Sequence, residues 1–183
     1  MELSWNQDKY LYASRFAAEA HKGQCVPGAP GLPYIVHVTW VCMEVIAALQ
    51  SVQDLDGNLA IQCALLHDVI EDAHVTFEQI SSGFGEAVAR GVLALSKHPD
   101  LDKPLQMADC LRRIRQQPRE VWMVKLADRV TNLQPPPKDW ALGKRISYQK
   151  EASEILNTLG SASEFLAIRL LAKIKAYNQY LGN

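Results

Sequence analysis

Four ionisable side chains, His67, Asp68, Glu71 and Asp72, stand within six consecutive residues of this chain. They follow an apolar run, which predicts that they lie at the end of a helix whose remainder belongs to the core. Charged groups near a core are unfavourable unless a metal ion or an opposite charge compensates them. The adjacent imidazole and carboxylate offer two metal ligands at one point, and two more carboxylates follow one helical turn later. The segment therefore predicts a metal centre, with a solvated helix end as the alternative.

Two further side chains, His37 and Asp128, could complete this centre, because each interrupts an apolar helical segment. Alone, a histidine in such a position is more often a hydrogen-bonded core residue, and Asp128 could instead pair with Lys125 or Arg129. Together with the His-Asp pair, however, they offer two imidazoles and two carboxylates from three predicted helices. A mixed nitrogen and oxygen set of this kind suits Mn, Fe or Zn and leaves positions open for water and substrate.

Glu71 and Asp72 have no ligand role in this arrangement, because four ligands already suffice. A carboxylate beside a metal-activated water can orient that water or accept its proton, so we expect both residues to act in catalysis. The alternative is again a solvated helix end. Asn132, one turn after Asp128, is expected to face the same cavity, where its amide could contact a hydroxyl or a phosphate. The chain contains neither a Walker-type glycine loop nor a Gly-x-Ser-x-Gly elbow, so nucleophilic serine or cysteine chemistry has no support.

The composition excludes several classes of protein. With 183 residues, 48% of them hydrophobic and 21% charged, the chain is typical of one soluble globular domain. A net charge of -1 argues against a dedicated nucleic-acid binder. No apolar run is long enough to span a bilayer, and the first residues lack the features of a signal peptide. The four cysteines are scattered without a Cys-x-x-Cys pair, which indicates the reducing cytoplasm rather than a disulfide framework.

Helical periodicity dominates the whole chain, and no segment has the alternation of a strand. Glycines and prolines mark residues 22–33 as a loop, and the three consecutive prolines from Pro135 end a helix. Thr76 and Ser163 are expected to cap the helices that follow them. The sequence predicts a compact, single, all-α domain over residues 1–183, with about eight to ten helices. The expected helices cover about residues 6–21, 34–49, 59–70, 77–82, 86–95, 105–116, 119–133, 145–159 and 165–181.

Five motifs occur in order between about residues 10 and 160. They are His21-Lys22-Gly23-Gln24, Pro33-Tyr34-Ile35-Val36-His37, the segment 64–72, the segment 84–89 and the segment 125–132. In this order they resemble the HD superfamily of metal-dependent phosphohydrolases and, more closely, the hydrolase domain of the RelA/SpoT family. The resemblance implies a stand-alone hydrolase that removes the 3′-pyrophosphate from purine nucleotide alarmones such as (p)ppGpp or (p)ppApp. It implies Mn²⁺ as the metal, with Fe, Zn or Co as other candidates.

The resemblance also maps functions onto individual residues. It assigns metal binding to His37, His67, Asp68 and Asp128. It assigns water activation to Glu71 and Asp72, and substrate contact to Asn132. Lys97, Lys144 and Tyr148 match positions at which family members approach the phosphates. Each of these three could equally be an ordinary surface or packing residue.

The chain departs from the family pattern after the first motif. Cys25, Val26 and Pro27 stand where the family has basic residues, one of which stacks on guanine. Val38 stands where the family prefers proline, a difference that should affect only the start of the helix. A planar arginine is therefore missing from the base-recognition loop, and we expect adenosine alarmones to be hydrolysed alongside guanosine ones or in preference to them.

Two other functions remain open from the sequence. The same metal centre could act on another nucleotide phosphoester, such as the 2′-phosphate of NADPH. A non-catalytic nucleotide sensor is the second alternative, although such a sensor would not need Glu71 or Asp72. We expect a small-molecule nucleotide as the partner, with no nucleic acid and no membrane. A homodimer is left open.

Overall fold

The computed structural model describes residues 4–182, which form ten α-helices and two short 3-10 helices. Within this range no residue belongs to a β-sheet, and the only strand-like feature is an isolated bridge between Cys25 and Pro33. The predicted all-α class is confirmed. The α-helices are α1 (Gln7–Ala20), α2 (Ile35–Leu49), α3 (Gly57–Leu66), α4 (Val69–Ala73), α5 (Phe77–Phe84), α6 (Glu86–Leu95), α7 (Lys103–Ile114), α8 (Arg119–Asn132), α9 (Leu142–Leu159) and α10 (Glu164–Tyr177).

Helix α3 lies at the centre of the fold. Nine of its ten residues are buried, and it packs against α1, α2, α6 and α8. Gly91 allows α6 to approach it closely, because a Cβ atom at that position would lie 2.7 Å from the Sγ atom of Cys63. The end of α3 is therefore held by its neighbouring helices, which fixes the position of His67 and Asp68 directly after it.

The helix predicted over residues 59–70 is not continuous. Helix α3 ends at Leu66, α4 begins at Val69, and His67 and Asp68 form the joint between them. Nδ1 of His67 donates to the carbonyl oxygen of Ala64 at 2.8 Å, so a side chain rather than a backbone amide bonds this carbonyl at the end of α3. The helical turn is regained at once, since the amide of Asp72 donates to the carbonyl of Asp68 at 2.8 Å. The His-Asp pair therefore lies at a helix junction rather than along one helix.

Other helix boundaries depend on local capping. Both hydrogen bonds of the predicted capping box between Thr76 and Gln79 are present, and Ser163 caps α10 as expected. The sequence predicted that residues 83–85 separate two helices. Helix α5 instead continues to Phe84, and only Gly85, with φ of +91°, separates it from α6. The last helix was predicted too long. It ends at Tyr177, where a 3-10 turn follows.

The proline- and glycine-rich loop between α1 and α2 has a defined conformation. The amide of Val26 donates to Leu32, and the amide of Tyr34 donates to Gln24, so the loop folds back on itself. At its tip Gly28, with φ of +78°, lies against Pro137. The loop thus reaches the prolines that follow α8. Within residues 4–182, none of the helices combines the length and the hydrophobicity needed to cross a bilayer.

Candidate metal centre

Three parts of the fold bring the four predicted ligands together. His37 comes from α2, His67 and Asp68 from the α3–α4 joint, and Asp128 from α8. Nε2 of His37 lies 3.7 Å from Oδ2 of Asp68 and 3.6 Å from Oδ1 of Asp128. Nε2 of His67 lies 2.9 Å and 3.9 Å from the same two oxygens. Two imidazoles and two carboxylates therefore surround one small volume.

The orientation of His67 fits a metal ligand. Its Nδ1 atom donates to the Ala64 carbonyl, which leaves Nε2 to take up either a proton or a metal ion. Nε2 is buried and makes no hydrogen bond, although Oδ2 of Asp68 lies 2.9 Å away. A buried ring nitrogen without a hydrogen-bond partner is unfavourable, so a bound metal ion would stabilise it. The donor atoms of His37, His67 and Asp128 lie within 4.8 Å of one another, as a shared cation requires.

The electrostatics of the cluster favour positive charge. Burial alone would lower the pKa of His67, but the attraction of Asp68 raises it to about 9. Burial and the neighbouring His67 lower the pKa of His37. Burial would raise the pKa values of Asp68 and Asp128, but the nearby cationic groups hold both pKa values below their usual range. Both carboxylates therefore stay ionised, and a divalent cation would meet the same negative field that favours the imidazolium form of His67.

Asp128 makes the predicted salt bridge and also faces the cluster. Its Oδ2 atom accepts a hydrogen bond from Nζ of Lys125 at 3.1 Å, while Oδ1 faces both histidines. Asn132 donates its side-chain amide to the same Oδ1 atom, as expected for a residue one turn away. Arg129 does not share in this contact, because it pairs with Glu151. The two interpretations of Asp128 are therefore compatible.

The two extra carboxylates have different surroundings. One oxygen of Glu71 accepts a hydrogen bond from the backbone amide of Lys97, and the other accepts one from its ammonium group, at 2.8 and 2.9 Å. Asp72 instead lies beside Asp68, since Oη of Tyr34 is 2.6 Å from the Asp68 carboxylate and 3.4 Å from that of Asp72. Although Asp72 reaches solvent, partial desolvation and the charges of Asp68 and Glu71 raise its pKa. Asp72 is thus the carboxylate connected to the ligand set, through the hydroxyl of Tyr34.

Sequence reasoning missed the supporting residues Tyr34, His21 and Gln24. Tyr34 precedes His37 by three residues, a helical spacing that could have suggested a shared face. The side-chain amide of Gln24 donates to the backbone carbonyl of Asp72 at 2.7 Å, and its oxygen lies 2.8 Å from Nδ1 of the buried His21. The first motif therefore fastens the loop to α4, a contact over 48 positions that no local pattern could indicate.

A cavity of about 320 Å³ opens beside the cluster. Aromatic, proline and amide side chains form most of its wall. Its lining residues are Val26, Pro27, Tyr34, His37, Trp40, Thr131, Asn132, Gln134, Pro135, Pro136, Pro137, Trp140, Tyr148 and Tyr177. Apolar walls with a few polar groups at one end are typical of a small-molecule site.

The other side chains predicted to contact substrate, Tyr148, Lys144 and Lys97, lie at different places relative to this cavity. Tyr148 lines it, stacks under the Arg129 guanidinium at 4.4 Å, and has its pKa raised to about 12 by burial. The ammonium of Lys144 lies 4.1 Å from the ring centre of Trp140, and it is Trp140 that lines the wall. Lys97 is held by Glu71, and its side chain is about one third exposed. In the loop that differs from the family pattern, Cys25 is exposed to solvent, whereas Val26 and Pro27 line the cavity.

Comparison with known proteins places this geometry in a family. Residues 13–165 match the HD domain. The chain belongs to the HD-domain family. It is 32% identical over 153 residues to the guanosine-3′,5′-bis(diphosphate) 3′-pyrophosphohydrolase MESH1 of Danio rerio, covering 81% of this chain and 83% of that protein. It is also 37% identical over 123 residues to a guanosine-3′,5′-bis(diphosphate) 3′-pyrophosphohydrolase of Vibrio cholerae, which covers 64% of this chain but 16% of that longer protein.

The HD fold is also seen in a solved structure. A metazoan ortholog of SpoT, described as hydrolysing ppGpp, aligns with a TM-score of 0.81 over 97% of this chain and 99% of that one. At 23% identity this match concerns the fold alone. Membership of the HD-domain family and the cluster of His37, His67 and Asp128 together indicate a divalent metal site.

Proposed function

We propose that this HD-domain protein hydrolyses the 3′-pyrophosphate of purine nucleotide alarmones such as ppGpp. One observation carries the proposal. A cluster of two imidazoles and two carboxylates lies beside a cavity with aromatic walls, in a chain similar along most of its length to a MESH1 pyrophosphohydrolase. Within residues 4–182 the buried apolar side chains form one core cluster, which supports the proposal of one domain over residues 1–183.

The proposed ligands are His37, His67, Asp68 and Asp128, and the proposed metal is Mn²⁺. Mixed imidazole and carboxylate sets suit Mn²⁺, although Fe, Zn and Co also accept them. When bound, such an ion supplies Lewis-acid chemistry that makes water nucleophilic near neutral pH and offsets charge on a phosphate. Tyr34 orients the carboxylate of Asp68 through its 2.6 Å hydrogen bond.

In the proposed reaction, a water oxygen forms a bond to the phosphorus that carries the 3′ oxygen, and the bond between that phosphorus and the 3′ oxygen breaks. Asp72 accepts the proton of the water, a role favoured by its raised pKa and its position beside Asp68. The 3′ oxygen leaves with the electron pair of the broken bond and takes up a proton from solvent, to which Asp72 releases the proton it accepted. The products are pyrophosphate and a nucleoside 5′-diphosphate or 5′-triphosphate.

Other residues are assigned to positioning and to substrate contact. Glu71 orients the attacking water while holding Lys97, whose ammonium can also approach a phosphate. Asn132 lies between Asp128 and the cavity, where its amide can contact the sugar or the 3′-pyrophosphate. Tyr148 contacts the substrate from the cavity wall. Lys144 supplies a cation near the rim, on the ring of Trp140.

Base choice follows from the cavity wall. Val26 and Pro27 face the cavity, and apolar contacts or stacking on aromatic rings discriminate weakly between purines. We expect kcat/KM for ppApp to equal or exceed kcat/KM for ppGpp under the same Mn²⁺ concentration. Val26→Arg should shift the ratio toward ppGpp, because a guanidinium supplies planar stacking and hydrogen-bond donors. Cys25→Arg is the matched control, since Cys25 is exposed outside the cavity. A strong ppGpp preference of the unmodified protein would show that another residue reads the base.

A product assay tests the proposed function. The Mn²⁺-loaded protein is incubated separately with ppGpp, ppApp and NADPH, and released pyrophosphate and orthophosphate are quantified. We expect pyrophosphate from at least one alarmone. Orthophosphate from NADPH without pyrophosphate from the alarmones would support the other phosphoesterase activity. Nucleotide binding without any product would support a sensor.

A further inference from the structure

A second cavity, of about 410 Å³, adjoins the one beside the metal cluster. The two cavities share Trp40, Thr131 and Gln134 in their walls. The second continues from these residues toward α10, which contributes Arg169 and Lys173. The two cavities therefore meet at Trp40, Thr131 and Gln134, and two cationic side chains line the second.

Helix α2 gives the distance between the metal cluster and the second cavity. His37 belongs to the cluster, Trp40 lies at the boundary, and Glu44 lines the second cavity. The helix rises about 1.5 Å per residue, so Glu44 lies roughly 10 Å along the axis from His37. This span is comparable with the separation between the 3′ and 5′ phosphate chains of one nucleotide.

The charge of the second cavity is positive. Glu44 is buried, and its carboxylate is neutralised by Nε and Nη2 of Arg169. That pair leaves Nη1 of Arg169 as a donor. Lys173 takes part in none of the ion pairs formed within residues 4–182, so its ammonium is an uncompensated charge in the wall. One uncompensated ammonium and one remaining guanidinium donor, beside apolar side chains, favour an anion over an uncharged ligand.

We propose that this second cavity binds the 5′-phosphate chain of the nucleotide whose 3′-pyrophosphate lies at the metal cluster. The inference rests on the proposed function and adds a phosphate subsite to it. Lys173 provides the free charge, and Arg169, held in place by Glu44, provides directed hydrogen bonds. The base then occupies the aromatic cavity between the two phosphate chains.

The test compares substrates that share the 3′-pyrophosphate and differ at the 5′ end. Lys173→Ala is assayed with guanosine derivatives that carry a 5′-triphosphate, a 5′-diphosphate or a 5′-hydroxyl. We expect KM to rise about ten-fold for the two phosphorylated substrates, as for one lost charge-assisted contact, with kcat unchanged. KM for the 5′-hydroxyl substrate should stay the same, because that substrate lacks the group that Lys173 binds.

Lys175→Ala is the matched control. Lys175 is exposed on the same helix, two residues away and therefore on nearly the opposite side. Its removal lowers the net charge equally but should leave all KM values unchanged. An unchanged KM in Lys173→Ala, or an equal rise for all three substrates, would overturn the phosphate subsite alone. Absence of turnover by the unmodified protein on every substrate would overturn the proposed function, and the subsite with it.

Discussion

Asp128→Asn is expected to lose its bound metal and its turnover together. Oδ1 of Asp128 lies within 4 Å of both imidazoles, so the change removes a negative ligand from the centre of the cluster. The buried ammonium of Lys125, 3.1 Å from Oδ2, would then be uncompensated and would repel a cation. Metal content by mass spectrometry and turnover of ppGpp are measured on the same preparation. Full metal occupancy in this variant would contradict the ligand assignment.

The stability of this variant needs a second measurement. An unpaired buried cation costs about 3–5 kcal/mol, so thermal unfolding must show that Asp128→Asn is folded at the assay temperature. His67→Ala tests the same site without leaving Lys125 unpaired, and we expect it to lose metal as well. Glu120→Gln is the matched control. Glu120 is a buried carboxylate on the same helix that binds the amide of Asp56 at 2.7 Å, so its loss should affect stability but not metal content.

Asp72→Asn and Glu71→Gln are expected to retain metal and substrate binding but to lower kcat by roughly 10²-fold or more, as for a lost acid–base group. Asp72 would lose the oxygen that accepts a proton beside Asp68. Glu71 would lose the charge that holds Lys97, so the water and the phosphate would both be less well oriented. Single-turnover kinetics separate kcat from substrate binding.

Glu78→Gln is the control for this pair, because Glu78 is an exposed carboxylate in the first turn of the following helix. It should retain the full rate. If Asp72→Asn and Glu71→Gln also retained it, both carboxylates would only solvate the helix end, as the alternative interpretation of the sequence had it.

The sequence predicted the features that depend on residue type and local spacing. Helical periodicity gave the all-α class, and the caps at Thr76 and Ser163 followed from patterns of four residues. The chemistry of His37, His67, Asp68 and Asp128 was sufficient to select them as a candidate set before their positions were known.

Features that depend on tertiary contacts were not predictable. The break at His67 arises from a side-chain bond to the Ala64 carbonyl, and neither glycine nor proline marks it. The partner of Glu71 is Lys97, 26 positions away, so the sequence could not separate its environment from that of Asp72. In the same way, only the fold shows that Lys144 lies on Trp140 rather than in the cavity wall.

Metal-dependent hydrolysis is tested most directly by a manganese titration of metal-stripped protein, followed by electron paramagnetic resonance and product analysis in the same samples. The signal of free Mn²⁺ measures how much of the ion is bound, and chromatography measures pyrophosphate released from ppGpp or ppApp. We expect pyrophosphate release to rise in proportion to bound Mn²⁺ in the unmodified protein, and neither binding nor release in Asp128→Asn. Undiminished release from the metal-stripped protein, or release by Asp128→Asn at the full rate, would contradict metal-dependent hydrolysis at this cluster.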